Sequence, residues 1–138
     1  MFFFTDYQAE VEATERILAL MKRILVADDN PAILDALKIM LEEASYEVET
    51  TVDGATARDM KRPFPDLLLL DIWMSGVDGR DVCKHLKSAP ATKHIPIIMV
   101  SAAKDTEQIA KDSGADDFIA KPFQMDHLLA TVARYVDR

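Results

Sequence analysis

The chain has 138 residues, of which 49% are hydrophobic and 29% are charged. This length suits one domain with a full core and is too short for two domains of ordinary size, and the composition is typical of a soluble globular protein. The formal net charge of −8 at pH 7 argues against direct binding of nucleic acid, because phosphate contacts need clustered lysine and arginine.

Membrane and redox chemistry are also constrained. No apolar run approaches the roughly 20 residues that span a bilayer, so we expect no contact with a membrane. The single cysteine, Cys83, excludes an internal disulfide and fits a reducing compartment. We therefore expect a cytoplasmic protein.

The first segment, residues 1–21, is predicted to be a helical arm in front of a domain at residues 22–138. Asp6 can cap a helix that runs through Leu20. One face of it carries a stripe formed by Tyr7, Val11, Thr14, Leu18 and Met21. An isolated helix of this length is marginal in water, so it needs a packing partner. That partner is the arm's own domain, a neighbouring molecule, or a second copy in a homodimer formed through the arm.

Strand-like runs then alternate with amphipathic stretches. The strands are predicted at residues 23–27, 47–51, 66–70, 96–100 and 117–120. The helices between and after them are predicted at residues 31–44, 53–61, 80–87, 106–113 and 124–136. This alternation favours an α/β fold in which a parallel sheet carries helices on both faces.

Polar side chains follow four of the predicted strands. They are Asp28 and Asp29 after the first strand, Asp71 after the third, Ser101 after the fourth and Lys121 after the fifth. The carboxyl ends of parallel strands open into one crevice, which is where open α/β sheets bind ligands. We therefore expect three carboxylates, a hydroxyl and an ammonium group in one pocket.

This set of groups suits metal-assisted chemistry on phosphate. Two like charges about 4 Å apart repel by roughly 1 kcal/mol even in water, so three clustered carboxylates call for a cation. Hard oxygen ligands in an open site suit Mg²⁺. A cation beside Lys121 and Ser101 would neutralise phosphoryl oxygens while a carboxylate attacks phosphorus. The pattern predicts that Asp71 is phosphorylated.

At these positions the chain resembles the receiver domain of two-component response regulators. The resemblance rests on LVADDN at 25–30, LLLLDIWMSGVDG at 67–79, MVSA at 99–102 and GADDFIAKPF at 114–123. Each segment alone is weakly specific, but together they are highly specific in this order and spacing. The resemblance implies a doubly wound, flavodoxin-like (βα)5 three-layer sandwich with a five-stranded parallel sheet of order 2-1-3-4-5. The N-terminal helix is an addition to that fold.

The resemblance also implies roles around the metal. Asp71 would be the phosphoacceptor and a direct Mg²⁺ ligand, and Asp29 would be the second direct carboxylate ligand. Asp28 would act through a water molecule, and the backbone carbonyl of Trp73 would complete the protein's share of the ligands.

Three further residues have implied roles in the response to phosphorylation. Lys121 would pair first with the carboxylates and then with the phosphoryl group, and a cis bond to Pro122 would aim it into the site. Ser101 would donate a hydrogen bond to a phosphoryl oxygen, and Phe118 would swing inward as a switch residue.

Trp73, Ala103 and Ser75 are among the positions that depart from the pattern. Trp73 is bulky at the position two after the acceptor, and Ala103, two after Ser101, is small and apolar; in relatives these positions border the path of the hydrolytic water. Ser75 replaces a common proline before Gly76.

We therefore expect a stand-alone phosphorylation-dependent switch that takes a phosphoryl group from a histidine kinase or histidine phosphotransfer protein. It would assist its own phosphorylation and dephosphorylation without being a conventional enzyme, and it would signal to a downstream protein target. A receiver portion of a larger response regulator or hybrid kinase is the alternative. A haloacid-dehalogenase-type phosphatase is disfavoured, because it needs a second aspartate at the position of Trp73. A degenerate receiver that only docks is disfavoured by the full acidic set.

Overall fold

The computed structural model describes residues 2–137, with side chains from residue 6 onward, and it contains seven strands and six helices in that range. In chain order they are α1 (Phe2–Leu20), β1 (Arg23–Ala27), α2 (Pro31–Glu43), β2 (Glu47–Thr51), α3 (Gly54–Arg58), β3 (Leu67–Leu70), β4 (Trp73–Met74), β5 (Val77–Asp78), α4 (Gly79–Ser88), β6 (Ile97–Ser101), α5 (Thr106–Ser113), β7 (Asp117–Ala120) and α6 (Met125–Val136). Met1 and Arg138, the outer ends of the two predicted segments, lie outside the described residues. None of the six helices combines the length and apolarity that a membrane crossing requires.

Five strands form one parallel sheet in the order β2-β1-β3-β6-β7. The remaining two, β4 and β5, form a separate antiparallel hairpin. When the five sheet strands are counted alone, their order is 2-1-3-4-5, as predicted.

Strand side chains alternate between the two faces of the sheet and fill a core on each. The core beneath α2 and α6 takes Ile24 and Val26 from β1, and the core beneath α3, α4 and α5 takes Leu25 and Ala27. β3 lies at the centre, and none of its leucines is more than 1% exposed, because helices cover both faces of the sheet. The predicted doubly wound, three-layer architecture is confirmed.

Local signals set most helix starts. Asn30 caps α2 by accepting a hydrogen bond from the backbone N–H of Ala32 at 3.0 Å, the role that asparagine favours at this position. The predicted helix at residues 53–61 is too long, because α3 ends at Arg58. Pro63 and Pro65 follow closely, and proline disfavours helical backbone in the residue before it.

The arm differs from its prediction at its start. α1 begins at Phe2 rather than at Asp6, so Asp6 lies inside the helix and the prediction of an Asp6 cap is wrong. No glycine or proline precedes Asp6 to interrupt a helix. On the predicted stripe, Tyr7 is 65% and Leu18 is 52% exposed. Among the described residues, no other element packs extensively on α1.

The hairpin of β4 and β5 was absent from the sequence prediction. Its register pairs Trp73 with Asp78 and Met74 with Val77. Gly76 closes the turn with φ of +75°, a conformation that glycine adopts without steric cost. The hairpin begins two residues after Asp71, and its turn lies near Asp29.

Candidate functional site

Four strand ends bring the predicted site residues to one edge of the sheet. They are Asp28 and Asp29 after β1, Asp71 after β3, Ser101 at the end of β6 and Lys121 after β7. β1 and β3 end level with each other because the register pairs their last residues, and the same holds for β6 and β7. This edge is the usual ligand-binding side of an open α/β sheet.

Three carboxylates form a cluster there. Asp28, Asp29 and Asp71 each offer an oxygen atom, and these oxygens lie within 4.8 Å of one another. Asp28 is 3% and Asp71 is 8% exposed, whereas Asp29 is exposed to solvent. The cluster is therefore buried on one side and open on the other, so a small ligand can enter from the side of Asp29.

The ammonium group of Lys121 lies within the same cluster. Its Nζ atom is 2.6 Å from Oδ2 of Asp28 and 3.6 Å from Oδ2 of Asp71. The peptide bond between Lys121 and Pro122 is cis. One cation thus faces three carboxylates, and the site keeps an excess of negative charge.

The surroundings of Asp71 disfavour its ionised form. Burial and the charge of Asp28 raise the pKa of its carboxyl above the ordinary value, with a smaller contribution from Asp29. Lys121 and the backbone N–H of Ile72, which donates to Oδ1 of Asp71 at 2.8 Å, act in the opposite direction without cancelling the shift. A bound cation would relieve this repulsion.

Neighbouring loops orient the other two carboxylates. Asp28 Oδ1 accepts a hydrogen bond from the backbone N–H of Asn30 at 2.9 Å. The hydroxyl of Ser75, on the hairpin turn, lies 3.4 Å from Asp29 Oδ2 and is placed to donate to it. From the sequence, Ser75 stands out only as the replacement of a common proline, so this contact with Asp29 was not predicted. The contact depends on the hairpin, and two-residue strands leave no periodic signal in a sequence.

Ser101 and Phe118 lie on the β6–β7 side of the site. Ser101 is buried, and its Oγ accepts a hydrogen bond from the backbone N–H of Ala103 at 3.2 Å. Phe118 is half-buried in β7 and lines a hollow with Pro122 and Phe123 on the face formed by β7 and α6. Phe118 therefore contacts both the core and this surface hollow.

Trp73 lies on the hairpin with 54% of its surface exposed. The guanidinium carbon of Arg80 is 4.7 Å from the centroid of the indole ring. Arg80 is in turn ion-paired with Asp78, which is opposite Trp73 in the hairpin.

The family model for the response regulator receiver domain matches residues 24–133. The chain belongs to this family. The match covers the whole five-stranded sheet apart from Arg23 and leaves α1 outside it, so the resemblance seen in the sequence is confirmed.

Similar proteins agree with this assignment. The chain is 40% identical over 121 residues to the DNA-binding dual master transcriptional regulator RpaA of Synechocystis sp., covering 86% of this chain and 50% of RpaA. It is 34% identical to the response regulator TrrA of Thermotoga maritima, solved in complex with Mg(2+)-BeF, with a TM-score of 0.76 over 83% of this chain and 99% of that one. The chain is also 26% identical to the receiver domain of a sensor histidine kinase of Pseudomonas aeruginosa PAO1, with a TM-score of 0.78 over 86% of this chain and 99% of that one. That receiver was solved with a magnesium ion in its active site cleft. The receiver spans half of the length of RpaA.

Proposed function

We propose that this receiver is a phosphorylation-dependent switch whose phosphoacceptor is Asp71. The observation that carries the proposal is a buried carboxylate of raised pKa beside a lysine, at the ligand-binding edge of a receiver sheet. A carboxylate oxygen of Asp71 would attack the phosphorus of a phosphohistidine on a histidine kinase or histidine phosphotransfer protein. A P–O bond forms, the P–N bond breaks, and the released imidazole takes a proton from solvent.

The donor set fits Mg²⁺. All three clustered side chains offer hard oxygen ligands. Burial, and after it the charge of Asp28, raises the pKa of Asp71, so a cation would stabilise its ionised form. We assign Asp29 and Asp71 as direct ligands, Asp28 as a ligand through water and the carbonyl of Trp73 as the backbone ligand. When bound, the ion neutralises charge on the phosphoryl oxygens. The Mg²⁺-containing structures of TrrA and of the kinase receiver support this assignment by similarity.

The remaining site residues would convert phosphorylation into a change of surface. Lys121 would exchange its contact with Asp28 for one with the phosphoryl group. Ser101 would donate a hydrogen bond from its hydroxyl group to a phosphoryl oxygen. Phe118 would move inward from the hollow that it lines. The face formed by α5, β7 and α6 would then bind a downstream protein target. The apolar hollow on this face supports that role.

Dephosphorylation returns the switch to its resting state. The oxygen of a water molecule attacks phosphorus, the bond between phosphorus and the Asp71 oxygen breaks, and inorganic phosphate leaves with a proton released to solvent. We propose that the ring of Trp73 limits the approach of this water. The domain assists both reactions on itself and therefore acts as a switch rather than as a conventional enzyme.

We also propose a division of the chain into an arm at residues 1–21 and a receiver at residues 22–138, with a homodimer formed through the arm. The exposed apolar side chains of α1 support this interface.

Net negative charge disfavours direct contact with nucleic acid. The reduced, buried Cys83 fits the cytoplasm. RpaA is twice as long as the matched segment. We therefore propose, as the alternative, that this receiver is part of a larger response regulator or hybrid kinase.

The test is covalent labelling by a small phosphodonor. Acetyl phosphate carrying a labelled phosphoryl group should label the parent in a Mg²⁺-dependent, acid-stable and hydroxylamine-sensitive way. Asp71→Asn should abolish the label, because the amide cannot act as the nucleophile. Asp105→Asn is the control, since Asp105 is exposed and its side chain makes no capping hydrogen bond. Full labelling of Asp71→Asn would refute the assignment.

A further inference from the structure

Arg80 covers one part of the indole of Trp73, the only tryptophan of the chain. The distance of 4.7 Å from the guanidinium carbon to the ring centroid lies within the range of a cation–π contact. Trp73 as a whole nevertheless stays 54% exposed. A solvent-exposed indole of this kind has several rotamers of similar energy unless a contact selects one.

Asp78 holds the guanidinium group in place. Nε of Arg80 donates to both carboxylate oxygens of Asp78 at 3.0 Å, and Nη2 donates to Oδ2 at 2.6 Å. Asp78 also caps α4 by accepting the backbone N–H of Arg80. The hydrogen bonds from Arg80 lower the pKa of Asp78, so the ion pair is charged at neutral pH. A planar guanidinium fixed in this way is a rigid support for the ring.

The hairpin links this support to the acidic cluster. Trp73 is two residues from Asp71, and Ser75 on the same hairpin contacts Asp29 at 3.4 Å. The far end is anchored as well, because the backbone N–H of Gly79 donates to the carbonyl of Ile72 at 2.7 Å. The described hydrogen bonds of the Arg80 side chain go to Asp78, so the contact that links Arg80 to the site is the one with Trp73 on the hairpin.

We propose that Arg80 is a positioning residue that lengthens the lifetime of the phosphoryl group on Asp71 by holding the Trp73 ring in the path of water. This inference rests on the proposed function. Hydrolysis needs water to approach phosphorus in line with the breaking bond to Asp71. A fixed ring obstructs that approach continuously, whereas a released ring obstructs it for part of the time.

The lifetime measurement uses the full chain labelled with acetyl phosphate and then freed of donor. A surface cation–π contact changes a conformational population by about two- to fivefold, so Arg80→Met should shorten the phosphoryl half-life by about that factor. Arg80→Lys keeps the charge but loses the paired hydrogen bonds to Asp78. Its phosphoryl half-life should lie between those of the parent and Arg80→Met. Arg62→Met is the matched control, because Arg62 lies 5.5 Å from the ring centroid of Phe64, away from the site. It should leave the half-life unchanged.

A second readout needs neither metal nor phosphate. Acrylamide quenching of the Trp73 emission should increase in Arg80→Met, because the ring loses its cover, and should stay at the parent value in Arg62→Met. In a Trp73→Asn background, Arg80→Met should no longer affect the half-life, since the effect passes through the ring.

These readouts separate the ways in which the inference can fail. Increased quenching with an unchanged half-life overturns it and leaves the proposed function standing. A half-life that still shortens in the Trp73→Asn background also overturns it, because Arg80 would then act by another route. A parent chain that takes no label refutes the proposed function and this inference together, while the quenching data still report on the contact itself.

Discussion

Asp71 illustrates how single residues set the chemistry of this site. Its carboxyl is buried beside Asp28, and these two influences outweigh Lys121 and the N–H of Ile72, so its pKa is raised. A raised pKa means that the folded state binds this proton more tightly than the unfolded state does. Without a cation, the ionised form of Asp71 therefore opposes folding.

The sign of this effect predicts a stabilising substitution. Stability of the metal-free parent should fall as pH rises from the unfolded value of about 3.9 through the raised folded pKa. Asp71→Asn removes the charge, so at neutral pH in EDTA it should be more stable by about 1 kcal/mol, or about 4 °C in Tm. The advantage should vanish below about pH 3.9, where Asp71 is protonated in both states, and should shrink in millimolar Mg²⁺. Thermal unfolding at these pH values measures it, and a lower Tm for Asp71→Asn in EDTA at pH 7 contradicts it.

The two other carboxylates should differ in their contribution to metal affinity. Asp28→Ala removes the carboxylate that we propose acts through water, and it should weaken Mg²⁺ binding by about tenfold, the lower end for an outer partner. Asp29→Ala removes a proposed direct ligand and should weaken binding further. Calorimetric titration of the two variants and the parent gives the order, and equal affinities in all three would exclude the proposed ligand set.

Among the elements, the hairpin of β4 and β5 contains most of the structural features that the sequence did not predict. The long helices and the five sheet strands were predictable because apolar runs and 3.6-residue periodicity mark them. Hairpin strands of two residues offer no periodicity, so the contacts of Ser75 and Arg80 were missed. The start of α1 was misplaced for a related reason, since a capping residue such as Asp6 also occurs inside helices.

Substitutions at two glycines of the hairpin region test two different effects, backbone strain at Gly76 and steric crowding at Gly79. A Cβ at Gly79 would collide with the backbone oxygen of Asp71, whereas at Gly76, with φ of +75°, it would meet no atom within 4 Å. Gly76→Ala should therefore cost about 1 kcal/mol through its φ alone. Gly79→Ala should cost about 1–3 kcal/mol and also slow labelling, because Asp71 must shift. Urea unfolding and labelling rates distinguish the two, and normal labelling of Gly79→Ala would show that the contact is unimportant for Asp71.

At the scale of the molecule, the parallel sheet assembles the site from distant segments. Lys121 and Asp28 are 93 positions apart and still form a hydrogen bond of 2.6 Å. This convergence was predictable because strand order and the carboxyl edge of the sheet decide it. The partner of α1 was not predictable, since an exposed stripe does not identify the surface that covers it.

The homodimer proposed through α1 gives a prediction on quaternary structure. The full chain should behave as a dimer in light scattering coupled to size-exclusion chromatography, and Leu18→Asp should make it a monomer. Val52→Asp is the matched control, because Val52 is also 52% exposed but lies in the receiver. Dimerisation should strengthen with salt, since α1 carries four acidic side chains against one arginine. A monomeric parent at high salt excludes this interface.

The most direct measurement for the central claim is chemical mapping of the phosphorylated residue. Borohydride reduces an acyl phosphate on aspartate to homoserine, and peptide mass spectrometry then locates the converted residue. After treatment with acetyl phosphate and Mg²⁺, conversion should occur at Asp71, and omission of Mg²⁺ should suppress it. Conversion at Asp28 or Asp29 instead, or a phosphorylated chain without homoserine at position 71, would contradict the account.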